Sequence, residues 1–167
     1  MTSSNNRVIG KKLCIAADNS VLIFGEFSGL VDFDPNAGIQ TVAAVTGDLF
    51  IQNIAADGNL IWVKTFVSFS TSFGPTARDL SLDKQGNIYS TGSFYDSVDV
   101  DPGPSVSKIY SNKYADVFIL KLDAQGDFIW AKTLGGTRDD GGVSVGTDTL
   151  GNVYTMGYFR DTVDFNP

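Results

Sequence analysis

Two aspartates separated by one residue recur along this chain: Asp32 and Asp34 in "VDFDP", Asp99 and Asp101 in "VDVDP", and Asp164 with Asn166 in "VDFNP". On an extended segment, side chains at i and i+2 project to the same side. Each pair therefore presents carboxylate oxygens together, the donor type that hard cations such as calcium prefer. Asp32, Asp34, Asp99, Asp101 and Asp164 are the candidate calcium ligands. The competing role is a turn, in which an aspartate before proline accepts bonds from nearby backbone amides and the first aspartate does similar work at a strand end. The spacing has neither an EF-hand nor a glycine-rich nonapeptide signature, so turn formation is the favoured reading.

A second polar group is Arg78 with Asp79, and Arg138 with Asp139 and Asp140. These are the candidate binding-face residues, a polar ring facing a ligand; ion pairing or loop closure within the protein is the alternative. Trp62 and Trp130 occupy matching places in related segments, which makes packing between repeats their expected structural role and stacking on a sugar the alternative. Histidine is absent, which removes Ser/His/Asp and Cys/His catalysis and His-containing zinc sites. The single cysteine, Cys14, has no intrachain disulfide partner and reads as a small buried thiol.

The positions of these groups depend on the elements that carry them. The 167 residues are 43% hydrophobic and 19% charged, enough for a real core, and 12 basic against 19 acidic residues give a net charge of −7. That balance opposes nucleic-acid phosphates and anionic lipid surfaces as partners. The apolar stretch from Leu13 to Ala17 is too short for a secretory signal or a membrane-inserting helix.

Internal repetition organises the rest. "GEFSGLVDFDP" from Gly25, "GSFYDSVDVDP" from Gly92 and "GYFRDTVDFNP" from Gly157 lie 67 and 65 residues apart. "DLFIQNIAADGNLIWVKT" from Asp48 aligns without gaps on "DVFILKLDAQGDFIWAKT" from Asp116. Each period reads as four strands: A ("LCIAAD", "RDLSLD", "VSVGTD"), B ("SVLIFGEF", "NIYSTGSF", "NVYTMGYF"), C ("LFIQNIA", "VFILKLD") and D ("LIWVKTF", "FIWAKTL"). They are rich in β-branched and aromatic residues, and the turns between them carry Asp and Gly. The fold class expected is all-β, with β-propeller-like blades of four antiparallel strands, about two and a half of them. The divisions are a polar segment at 1–11, a first blade at 12–66, a second with its preceding loop at 67–134, and the first half of a third at 135–167.

The stretch "DVFILKLDAQGDFIWAKTLGGTRDDGGVSVGTDTLGNVYTMGYF" resembles the bacterial β-propeller repeat of SBBP type, itself similar to a longer NHL-type blade. The resemblance covers nearly all of residues 12 to 167. It implies a large bacterial cell-surface or secreted protein, extracellular in location. "FVSFSTSFGPTARD" in the first period departs from its glycine pair.

Strand reversal puts the A–B and C–D turns on one face and the long B–C and D–A connections on the other. Long loops in compact domains are usually functional or mobile, so the long-loop face is the expected binding surface. The leading expectation is a noncatalytic scaffold that binds a protein or glycan there. The alternatives are a propeller-based polysaccharide hydrolase or lyase, and, more remotely, a quinone-dependent dehydrogenase suggested by "DAQGDFIW". Two and a half blades leave apolar sheet faces open, so further blades, of the same protein or another copy, are expected partners.

Overall fold

The computed structural model describes residues 6–165. It is all-β, and among the described residues there is no helix. Strands β1 (Arg7–Ile15), β2 (Val21–Asp32), β3 (Thr41–Ile54) and β4 (Leu60–Phe66) form one antiparallel sheet in chain order. β5 (Thr76–Leu82) and β6 (Ile88–Phe94) open the second sheet, β7 (Ser97–Asp99) and β8 (Lys108–Tyr110) pair as a small hairpin, and β9 (Asp116–Leu122) and β10 (Phe128–Gly136) complete the second sheet. β11 (Gly141–Thr147) and β12 (Val153–Tyr158) form a third, two-stranded sheet, and β13 (Val163–Asp164) pairs with the end of β10. The two complete sheets are propeller blades.

The sheets stack face to face. Leu22, Phe24, Leu49, Ile51 and Phe66 of the first blade meet Leu80, Ile88, Phe94 and Phe118 of the second in one buried cluster. Phe118 sits edge-on to both Phe24 and Phe94, each at 6.5 Å between ring centroids. Burying each such side chain stabilises the stack by about 1.5–3 kcal/mol. Tyr89, Val117, Ile119 and Leu134 of the second blade pack in the same sense on Val145 and Val153 of the third sheet and on Phe159 just beyond it. Trp62 packs against the first of these clusters and Trp130 against the second, edge-on to Tyr89 at 6.4 Å.

The tight turns follow from local chemistry. In each D-x-x-G turn the aspartate accepts backbone amides two and four residues on, as Asp83 does from Gln85 and Asn87, and Asp148 from Leu150 and Asn152. The glycine then adopts the left-handed backbone, with φ of 82° at Gly86 and 85° at Gly151.

Two elements differ from the sequence expectation. The first sheet begins at Arg7, ahead of position 12, because strand A carries a β-bulge between Gly10 and Lys12 that breaks the alternation. The same bulge recurs between Ala77 and Asp79 and between Gly142 and Ser144. In the "VD-x-DP" segments, expected as loop, the leading Val-Asp is instead strand, and the x-Asp-Pro that follows is the turn. Leu30 to Asp32 continues β2 against Thr41 to Ala43, and β7 makes the equivalent pairing with β8.

Candidate functional site

The paired aspartates shape the long-loop face. Asp32 Oδ1 accepts the amides of Asp34 and Gln40, and Asp99 Oδ1 accepts those of Asp101 and Ser107. Asp34 and Asp101 each accept the amide two residues on, from Asn36 and Gly103. Both copies thus close the B–C hairpin in the same way. Among the described residues, no three or more Asp, Glu or Cys groups gather as a cation site. Asp164 pairs through its backbone with Gly135; its side chain, like Asn166 and Pro167, lies outside the described residues.

The extended segments also clasp neighbouring blades. β7 of the second blade docks on the chain leaving β4: the Phe69 amide donates to the Ser97 carbonyl at 2.9 Å and the Asp99 amide to Val67 at 2.9 Å. β13 repeats this against Gly135 and Gly136. Backbone bonds therefore fix each D–A loop beside the next B–C loop.

Between the first such pair lies a cleft of about 430 Å³, with Phe73 and Ser70 on one wall and Tyr95, Ser111, Lys113 and Tyr114 on the other. The first wall is held by Asp48, which accepts the Ser68 amide at 2.8 Å, and by Thr46, whose hydroxyl donates to the Ser70 carbonyl at 2.8 Å. Phe73 lies tilted against Tyr95 at 5.2 Å, and Lys108 Nζ sits 3.5 Å from the centre of the Phe69 ring. Phe73 is 63% exposed and Tyr114 49%, so both rings stand open beside a cleft that polar groups rim. Sequence reasoning passed over these aromatics. Their one signal was their placement in polar loops.

A knot of three aspartates underlies the second wall. Asp116 accepts the Asn112 amide at 2.9 Å, Asp139 accepts the Tyr95 hydroxyl at 3.2 Å and the Ala115 amide at 3.3 Å, and Asp140 accepts Gly136 and Arg160 amides at 2.8 and 2.6 Å. Asp140 is fully buried and its own amide donates to the Ala115 carbonyl. The knot therefore joins the B–C and D–A loops of the second blade to the third sheet. Burial raises the phenol of Tyr95, and the neighbouring Asp139 adds to the effect.

Asp116 Oδ1 has no hydrogen-bond partner and the residue is 5% exposed. Burial pushes its carboxyl up to about 6; the Asn112 amide opposes this, and the Asp140 charge reinforces it. A carboxyl raised in the folded state stabilises the fold in its protonated form, and that contribution is lost as pH rises through about 6. Asp116→Asn should thus be more stable than the parent above that pH by about 1–2 kcal/mol, with the difference vanishing near pH 4. Chemical denaturation across that pH range checks this. A variant less stable at pH 7.5 would refute it.

The other sequence candidates divide. Arg78 is the bulge residue of β5 and is exposed, as are Lys11 and Val143 at the matching bulges. Arg138 is exposed, with Nε 3.7 Å from Asp161. Asp79 is 8% exposed and engaged within the protein. Its Oδ2 accepts the Ser144 hydroxyl at 2.6 Å and the Val145 amide at 3.0 Å, and its Oδ1 meets Lys12 Nζ at 2.9 Å. It links the A strands of all three sheets. Asp139 and Asp140 likewise bind backbone, so the five residues do not form one ligand-facing ring.

No family model matches the chain. A search of curated proteins finds it 28% identical, over 142 residues, to an uncharacterized WD repeat-containing protein of Acanthamoeba polyphaga mimivirus. The match covers 75% of this chain and 10% of the relative, so the chain spans about a tenth of that protein's length. Together with the stacked antiparallel sheets, it supports a β-propeller-type repeat as the nature of this chain.

Proposed function

We propose that the chain is a binding scaffold that seats an extended protein segment in the cleft between the two clasped loops. The observation that carries this reading is the exposure of Phe73 and Tyr114 beside a cleft whose walls are held by backbone and carboxylate bonds. Rigid aromatic anchors with polar neighbours lose little side-chain entropy on binding. The repeat motifs support assignment to the SBBP type and, with it, a bacterial surface or secreted setting. Exposed ring faces equally suit stacking on a sugar, which makes a glycan the second reading.

Paired peptide-library and glycan arrays test both readings. The Phe73→Ala/Tyr114→Ala variant should lose binding at least about tenfold, as truncation of aromatic anchors does, while keeping its thermal midpoint. Unchanged binding by that variant would remove the cleft from the function. Release of new reducing ends from bound glycans would replace the scaffold with a hydrolase.

A further inference from the structure

The cleft between the clasped loops is an addition to the repeat. Ten residues separate Phe66 from Ala77, whereas seven separate Leu134 from Gly142, which the pairing registers set at the same places of the next period. The longer D–A loop carries Phe73. Stacking does not require that length, because the second and third sheets stack across the shorter loop. Five residues separate Tyr110 from Asp116, against four between Ala43 and Asp48, the same places of the first blade. The longer B–C loop holds Lys113 in the left-handed backbone region, at φ 73°, where a lysine is strained. Asp116 and Asp139 keep it there by accepting the Asn112 and Ala115 amides on either side.

Negative charge at this place is poorly compensated. Asp96 lines the second wall and is exposed, and among the described residues its carboxylate takes part in no hydrogen bond or ion pair. Beneath the wall, Asp139 and Asp140 are bonded to amides and to the Tyr95 phenol, and among the described residues no lysine or arginine side chain pairs with either. Donation of its hydroxyl to a carboxylate makes the Tyr95 ring richer in electrons and a better partner for a cation. Beside the cleft, an aromatic ring of the same D–A loop already takes an ammonium group, Lys108 over Phe69. Among the described residues lining the cleft, Lys113 is the one cation, exposed and free of ion pairs.

Resting on the reading of this cleft as the seat of an extended protein segment, we propose that the segment presents a lysine or arginine side chain there. The cation is received over the faces of Phe73, Tyr95 and Tyr114 and by the Asp96 carboxylate. Ring faces carry the negative part of the aromatic quadrupole and attract cations. The net charge of −7 draws basic partners toward the chain. Lys113 repels the incoming cation and so lowers the affinity that the rings and Asp96 would otherwise give.

Fluorescence polarisation is the test. The probes are two fluorescein-labelled peptides of glycine, serine and leucine that differ only in carrying arginines or glutamates at the same places. The arginine peptide should bind the chain at least about tenfold tighter than the glutamate peptide, and its affinity should fall as sodium chloride is raised. Asp96→Asn should weaken its binding about two- to fivefold, the worth of one exposed charge, and Lys113→Asn should strengthen it by a similar factor. Asparagine tolerates the left-handed backbone at both positions, φ 60° and 73°, so the thermal midpoints should hold. Effects of the opposite sign, no effect from either variant, or preference for the glutamate peptide would overturn the cationic assignment; loss of binding in Phe73→Ala/Tyr114→Ala would then still keep the cleft as the seat. Unchanged binding of the arginine peptide by Phe73→Ala/Tyr114→Ala would remove the cleft itself. Binding of neither peptide would overturn the proposal, and retention of a glycan through Phe73 and Tyr114 would then assign the cleft to a sugar.

Discussion

Gly92→Val is expected to destabilise the protein by about 3 kcal/mol or more, through overpacking against backbone that cannot yield. A Cβ at this position falls on the carbonyl oxygen of Thr76 and reaches Phe118 Cε1 at 3.0 Å. Phe118 is itself 1% exposed, at the centre of the contact between the blades, and has no free space to enter. The two other strand B glycines face the same obstacle, Gly25 at the Ile9 carbonyl and Gly157 at the Gly141 carbonyl. In all three sheets the cause is the strand A bulge, which carries the opposing carbonyl toward strand B. For a chain of this size such a loss lowers the thermal midpoint by roughly 6–12 °C. Gly146→Val is the control: nothing lies within 4 Å of its Cβ and it sits in β11, so its effect should stay within about 0.5 kcal/mol. Equal losses from the two substitutions would show that steric conflict is not the cause.

Asp79→Ala should cost about 3 kcal/mol, since it strips the partner from Lys12 and leaves the buried Val145 amide without an acceptor. Burial opposes ionisation of Asp79, yet bonds from Ser144, Lys12, Val145 and Leu80 together hold its carboxyl below the ordinary 3.8. A depressed folded-state value means that the stabilisation is present above 3.8 and is lost as pH falls below it. The gap between parent and variant in urea unfolding should therefore be full at pH 7 and shrink near pH 3. Lys12→Met should cost less than Asp79→Ala, because the Ser144, Val145 and Leu80 bonds remain. A gap independent of pH would show that packing, not the charge, accounts for the loss.

Much of this arrangement was written in local sequence. The strands follow from runs such as "DVFILKLD", and the D-x-x-G turns from an aspartate and a glycine whose bonds span four residues. Trp62 and Trp130 stand at matching places of the repeat, and each packs against a buried cluster shared by two sheets. The glycine before each "x-F" of strand B was visible as a repeat, although its reason was not. Nothing near Gly92 in the chain announces Thr76, 16 residues earlier, as the atom it must avoid.

The long-loop face was legible as a surface and hidden in its details. Alternation of short turns and long connections set which loops share a side. The cleft itself needed Phe73 and Tyr95 brought together, and that contact depends on the clasp of β7 against Val67 and Phe69.

The sequence by itself determined the repeat, the strands and the turn chemistry, because all of these rest on bonds and periodicities within a few residues. Only the tertiary structure decided what Asp79, Asp116 and Asp140 do. A carboxylate reads the same in sequence whether it meets water, an amide 66 positions away or another carboxylate, and those partners exist only once the sheets have stacked.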